Sequence, residues 1–215
     1  MAAMEDVLDV YARPPDPARP LVCFDEAGKE LRGQTRPPTP LGPGCPVQQD
    51  TEYTRHGSAN LFLAVAPHLG WRQVTVTDHH RRADFAHALR DLADQAFPEA
   101  ERIVLVLDNL NTHTAGALYS TFPPADARRL WRRFEVHYTP KHGSWLNMAE
   151  LELSVLHRQC LDRRIASRPA LAEELDAWIG RRNAAATPIA WSFTVEDARA
   201  RLSHVYPLIE PDTIA

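Results

Sequence analysis

The stretch "RIVLVLD", Arg102 to Asp108, sets the tightest limit on what this chain can fold into. Its apolar residues follow one another without alternation, so neither face of the segment can be left to water. Such a run is a strand buried on both faces of a sheet, and that sheet needs helices on each side. The run ends in an acid, Asp108, followed by "NLNTH". In sheets of this kind, ligand sites collect at the carboxyl ends of parallel strands.

Other segments supply the partners. "LVCFDE" (Leu21 to Glu26) is a second strand that ends in acid at Asp25. "ANLFLAVAP" (Ala59 to Pro67) and "WRQVTVTD" (Trp71 to Asp78), joined by "HLG", have the spacing of a hairpin. Phe85, Leu89, Leu92 and Ala96 recur at helical spacing across Arg81 to Phe97. "HTAGALYSTF" reads as a short helix and Phe134 to Tyr138 as a strand. "NMAELELSVLHRQCL" and "RPALAEELDAWIGRRNAA" read as helices. The order predicts a mixed sheet with helices on its faces. A short helix, Met4 to Tyr11, precedes the proline-rich linker "ARPPDPARP", and Gly33 to Pro46 reads as an irregular excursion. The expected organisation is a leader helix and linker over 1–20, one domain over 21–205 and a tail over 206–215.

Composition narrows the function classes. With 215 residues, 44% hydrophobic, one sizeable core is expected. The net charge of -4 gives no global basic field, which argues against a self-sufficient DNA-binding protein but leaves room for a local basic groove. Cys23, Cys45 and Cys160 are scattered, without a CxxC pair, which argues against a disulfide framework or a structural zinc site. With no membrane-length apolar stretch and no signal peptide at the start, the expectation is a cytoplasmic protein with no membrane partner.

If the strands ending at Asp25 and Asp108 are parallel neighbours, roughly 5 Å apart, their carboxylates converge. They then repel unless a proton or a cation lies between them. A hard divalent cation such as Mg²⁺ suits oxygen ligands. Each aspartate taken alone serves equally well as a turn starter or helix cap. A third ligand is offered by "SWLNMAELELSVLHRQC", which carries Glu150 and Glu152. Residues two apart on a helix point about 200° apart, so one site cannot easily use both. Glu150 shares a polar arc with Asn147, Ser154, His157 and Arg158. Glu152 shares its side with Gln159, between Met148 and Leu156. The wheel favours Glu150, although Asn147 and Glu150 also fit a capping box.

At these residues the chain resembles a known family. "CFDEAG", "LVLDNLNTH" and "HGSWLNMAELELSVL" look like the three acidic blocks of the DDE transposases, and in particular of the mariner-related bacterial insertion-sequence group. The resemblance runs from about Leu21 to the ending "WSFTVEDARARL". It implies a ribonuclease H-like α/β fold: a five-stranded mixed sheet of order 3-2-1-4-5, strand 2 antiparallel, flanked by helices. It also implies the catalytic triad Asp25, Asp108 and Glu150 holding two Mg²⁺ (or Mn²⁺) ions, with Asp25 between them. The implied reaction is DNA cleavage followed by strand transfer at element ends and target, by a homodimer in the bacterial, nucleoid-associated cytoplasm. There are three departures. Met148 and Ala149 replace the usual proline-isoleucine. The interval from Asp108 to Glu150 is long, with the surplus placed in "STFPPADARRLWRRF". The helix-turn-helix modules usual in the family have no counterpart before Asp25, which suggests a catalytic domain alone: a truncated copy, a fragment, or one half of a split reading frame whose other half is a separately encoded helix-turn-helix subunit.

Lys141 and His142 in "TPKHGSW", together with Asn147 and Arg158, are candidate DNA contacts, though a loop charge such as Lys141 is as easily plain solvated surface. His113 could touch a metal-bound water or simply pack at a helix start. "ARRLWRRF", "DRRIASR" and "GRRN" could track a DNA backbone or be ordinary exposed faces. "DHHRR" reads as a loop and helix start. A P-loop reading of "RIVLVLD" fails, because Gly28-Lys29 is followed by Glu30. The competing functions are an inactive or non-joining ribonuclease H-like nuclease and a domain that only binds DNA.

Overall fold

The computed structural model describes residues 1–36 and 51–206. Five strands form one sheet: β1 (Leu21–Gln34), β2 (Tyr53–Ala66), β3 (Trp71–Thr77), β4 (Ile103–Leu107) and β5 (Phe134–Tyr138). Their order is β3-β2-β1-β4-β5. β2 runs antiparallel to both β1 and β3, while β1–β4 and β4–β5 are parallel. The expected topology is the one observed.

Alternation along the strands builds the two faces of the core. Val22, Phe24, Ile103, Leu105 and Leu107 pack on one face with Phe85, Leu89 and Leu118. These come from α2 (Arg82–Asp91) and α3 (Ala115–Thr121). α4 (Pro124–Trp131) adds Ala127 and Leu130 and lies in the stretch where the surplus was expected. Leu21, Cys23, Val104 and Val106 pack on the opposite face with Leu146, Met148 and Ala149. α1 (Ala2–Tyr11) also packs there through Met4, Val7 and Leu8, as does α7 (Val195–Arg201) through Ala198. A third cluster joins Leu31 and Leu61 to Leu156, on α5 (Met148–Leu156), and to Leu171, Leu175 and Trp178 on α6 (Arg168–Ala185).

Several boundaries differ from the sequence reading. β1 does not stop at Glu26. It pairs with β2 as far as Gln34↔Tyr53, with an irregularity between Glu30 and Arg32. Apart from Ala27 and the buried Leu31 the added residues are polar or glycine, and it is the partner strand, rather than a continuous apolar pattern, that satisfies their backbone. Gly33 and Gln34 therefore belong to β1, and residues 37–46 of the expected excursion lie outside the described residues, Cys45 among them. The long helices expected after Arg81 and Asn147 each close in a π-helical turn, Leu92–Ala96 and His157–Leu161. The β2–β3 connection ends at Gly70, whose φ of 61° favours glycine. The Ala186 backbone occupies the space where a Cβ would stand.

Glu152 is neither solvated nor idle. It is 2% exposed and accepts hydrogen bonds from Arg72, 1% exposed, and from Arg182. Arg72 also donates to the carbonyls of Gly70 and Thr187. Asn183 bonds both the N–H and the carbonyl of Arg72, at 2.7 and 2.8 Å. α5 is thereby tied to β3 and α6 by an Arg–Glu–Arg group. Removing one member of a buried ionic set leaves uncompensated charge. Glu152→Ala is expected to cost about 3–5 kcal/mol, read from urea midpoints. Glu150→Gln, on the exposed face of the same helix, is expected to change stability by about 0.5 kcal/mol or less.

Candidate active site

The register of the parallel pair sets the first two acids. Cys23 is level with Val106 in the β1–β4 ladder. Two residues further on, the same register sets Asp25 level with Asp108. Alternation aims Asp25 to the Cys23 side of the sheet, the side on which α5 packs. Asp25 does not end its strand, as the sequence reading had it. It lies within β1, at the point where β4 stops at Leu107 and leaves β1 without its parallel neighbour.

Helix α5 brings the third acid. Its N-cap, Asn147, accepts from the Ala149 N–H at 3.1 Å. The Asn147 amide donates to the Phe24 carbonyl at 2.8 Å and to Asp25 Oδ2 at 3.3 Å. The start of α5 is thus fastened to β1 beside Asp25, and Tyr11 adds a 2.7 Å bond to the Leu146 carbonyl. Asn147 is fully buried, which corrects its expected place among the DNA contacts: its polar atoms are committed inside the protein. Glu150, at the third helical position, is exposed, and its carboxylate has no hydrogen-bond partner among the described residues. Neither half of the suggested capping box is present: the Asn147 side chain accepts from Ala149 rather than Glu150, and the Asn147 N–H goes to the Ser144 carbonyl.

The electrostatics show crowded like charge. Burial, together with the charges of Glu150 and Asp108, pushes the Asp25 carboxyl up to about 7, against the pull of the Glu26 N–H and of His113. His113 is 1% exposed and lies between two acids, its Nδ1 2.5 Å from Asp108 Oδ1 and its Nε2 2.8 Å from Glu26 Oε1. Burial disfavours its charged form, but the hydrogen bonds to Asp108 and Glu26 prevail and hold it at about 9. Sequence reasoning missed Glu26. The signal was its place beside Asp25, on the alternate face of the strand.

The surroundings sort the remaining candidates. Lys141 and His142 line a depression with Asp108, Asn109 and Ser144. His142 adopts a left-handed φ of 65°. A groove of about 590 Å³ runs from Glu26 and Glu150 past Lys29, Arg32, His157, Arg163 and Arg164. Arg158 opens onto a separate depression with Glu174 and Arg181, apart from Glu150. The π-helical turn that begins at His157 breaks the wheel that had joined them. In the other basic clusters, Arg129 pairs with Asp94, Arg133 bonds the Phe97 and Pro98 carbonyls, Arg168 pairs with Asp78, and Arg182 serves Glu152. Cys23 and Cys160 are free and buried. Among the described residues no helix is long and apolar enough to cross a membrane.

The donor set fits a hard divalent cation. The site offers carboxylate oxygens only, and Asp108 Oδ2 and Glu150 carry no hydrogen bond among the described residues. Asp25 feels both neighbouring charges. Among the described residues no three His, Cys, Asp or Glu side chains already form a ready ligand cluster, so the acids would have to draw together on a cation. Mg²⁺ needs only one or two protein carboxylates. Stability should follow these shifts. Between the ordinary carboxylate value and about 7, the folded protein keeps a proton on Asp25 that the unfolded chain has lost. Between 6.5 and about 9 the same holds for His113. Both contributions fall as pH rises. In chelator-treated protein, Asp25→Asn should flatten the lower part of this decline and raise stability near pH 8 by roughly 2 kcal/mol, read by thermal melts. An unchanged or lowered melting point would contradict the charge crowding.

Comparison with known proteins agrees with this fold. Residues 20–172 match the family described as DDE superfamily endonuclease. Among curated proteins the chain matches none. Its fold is similar to the Mos1 mariner paired-end complex with Mn, at TM-score 0.55 and 20% identity, over 84% of this chain and 53% of that one. The Mos1 paired-end complex with Mg gives 0.53 and 20%, over 85% and 54%. The catalytic domain of Mos1 mariner transposase gives 0.54 and 16%, over 83% and 78%. The chain thus spans about half the length of the Mos1 chains in those complexes. With a sheet of order β3-β2-β1-β4-β5 and a family match over residues 20–172, the chain belongs to the DDE superfamily endonuclease family.

Proposed function

We propose that this chain is the catalytic domain of a transposase that cuts DNA phosphodiesters and joins strand ends in the movement of an insertion sequence. The observation that supports this reading is electrostatic: the charges of Glu150 and Asp108 add to burial in raising the Asp25 carboxyl, beside the end of the β1–β4 ladder. Asp25, Asp108 and Glu150 would hold Mg²⁺ or Mn²⁺, in line with the metals named for the Mos1 complexes. Two ions are part of the proposal. Cations held there lower the pKa of an attacking water or 3′-hydroxyl and neutralise charge at the leaving oxygen.

The chain's own residues would do the rest. Asn147 keeps Glu150 beside Asp25 by bonding both β1 and the α5 backbone. The groove beyond Glu150 gives a strand a path over Lys29, Arg32, Arg163 and Arg164. Lys29 is pinned there by the Leu161 and Arg163 carbonyls, at 2.5 and 3.0 Å. Lys141 and His142 flank Asp108 from the opposite side and would contact phosphates. Pairing of two copies on paired element ends, and end recognition by helix-turn-helix modules on a separate subunit, belong to the same proposal.

The test is metal-dependent nicking and joining of labelled element-end oligonucleotides. Asp108→Asn and Glu150→Gln should each lower cleavage by about 10³-fold or more. Full cleavage by either variant, under conditions where the wild type is active, would remove the triad. Cleavage without joining by the wild type would instead identify a non-joining nuclease.

A further inference from the structure

His113 has no task in the reaction above, yet few side chains in the protein are more tightly fixed. Its ring is sealed from solvent and stacks on Phe85 at 4.4 Å between centroids, with Phe24 edge-on at 6.1 Å. The His113 N–H bonds the Leu110 carbonyl at 3.0 Å, and its own carbonyl accepts from the Tyr138 hydroxyl at 2.7 Å. The backbone is therefore anchored to the loop after β4 and to the end of β5. Each ring nitrogen meets a carboxylate, Asp108 Oδ1 at 2.5 Å and Glu26 Oε1 at 2.8 Å. Ionised carboxylates only accept, so both contacts are hydrogen bonds only if both nitrogens carry protons.

We propose that His113, clamped at its far nitrogen by Glu26, is a positioning residue that fixes the Asp108 carboxylate through Oδ1 and leaves Oδ2 as the oxygen for a cation. Oδ2 has no hydrogen-bond partner among the described residues. Partners of this kind orient ligands, and losing them typically weakens metal binding about 10–100-fold. The inference rests on the reading of Asp108 as a cation ligand. It adds that Glu26, on the alternate face of β1 from Asp25, serves the same site through His113. β1 would then support the site from both faces: directly with Asp25, indirectly with Glu26.

The experiment is calorimetric titration of the full chain with Mn²⁺, without DNA, with folding of each variant checked by circular dichroism and melting. His113→Ala and Glu26→Ala should each weaken Mn²⁺ binding by about 10-fold or more. Glu26→Gln should stay within about 3-fold of wild type, because its amide oxygen still accepts from His113 Nε2. A pure charge effect would make Glu26→Gln as weak as Glu26→Ala, and that result overturns the proposal. Wild-type affinity in Glu26→Ala overturns it too. Glu26 has a side chain 14% exposed, so this pair of variants decides the matter if His113→Ala does not fold. Asp108→Asn separates the two levels. If it binds Mn²⁺ as the wild type does, the cation reading itself fails. If it loses binding while His113→Ala and Glu26→Ala keep it, only the positioning role fails.

Discussion

The parallel ladder between β1 and β4 is the constraint from which the site follows. Hydrogen bonding between the two strands fixes which residues are level. Carried two residues past its last pair, Cys23 with Val106, the register brings Asp25 level with Asp108. Two carboxylates so placed repel, and the charges of Glu150 and Asp108 add to the burial that raises the Asp25 carboxyl. The core on both faces of these strands holds the register. A slip of one residue would turn Val104 and Val106 out of one core and Leu105 and Leu107 out of the other.

Around this ladder, the buried polar groups serve orientation. Helix α5 is held at two points on different sides: by Asn147 to β1, and by Glu152 to Arg72 and Arg182. Between them the helix cannot rotate, and the exposed stripe that remains carries Glu150. Ion sets of this kind contribute little net stability compared with an apolar replacement. Their effect here is to fix an azimuth. The two glutamates of one short helix segment therefore have opposite fates: Glu152 is buried between two arginines, while Glu150 is exposed and has no hydrogen-bond partner among the described residues.

Much of this was legible in the sequence. The unbroken apolar run into Asp108 identified a central strand, and the spacing of Trp71 behind Ala66 identified the hairpin. Helical geometry alone separated Glu150 from Glu152. What escaped depended on partners far away in the chain. The polar half of β1 becomes strand only because Tyr53 to Ser58 lies beside it. Glu152 is buried only because Arg72, 80 residues earlier, reaches it. The Glu26–His113–Asp108 bridge joins residues 87 apart, and no local pattern announces it. Arg158 lines a different depression from Glu150, a separation that the helical wheel does not announce.

The most direct measurement is a crystal structure of the chain soaked with Mn²⁺, located by anomalous scattering. The account predicts a peak between Asp25 and Asp108, within coordination distance of a carboxylate oxygen of each and with Glu150 drawn toward it. An anomalous map with no peak at that strand end, at a metal concentration that supports nicking, would contradict it.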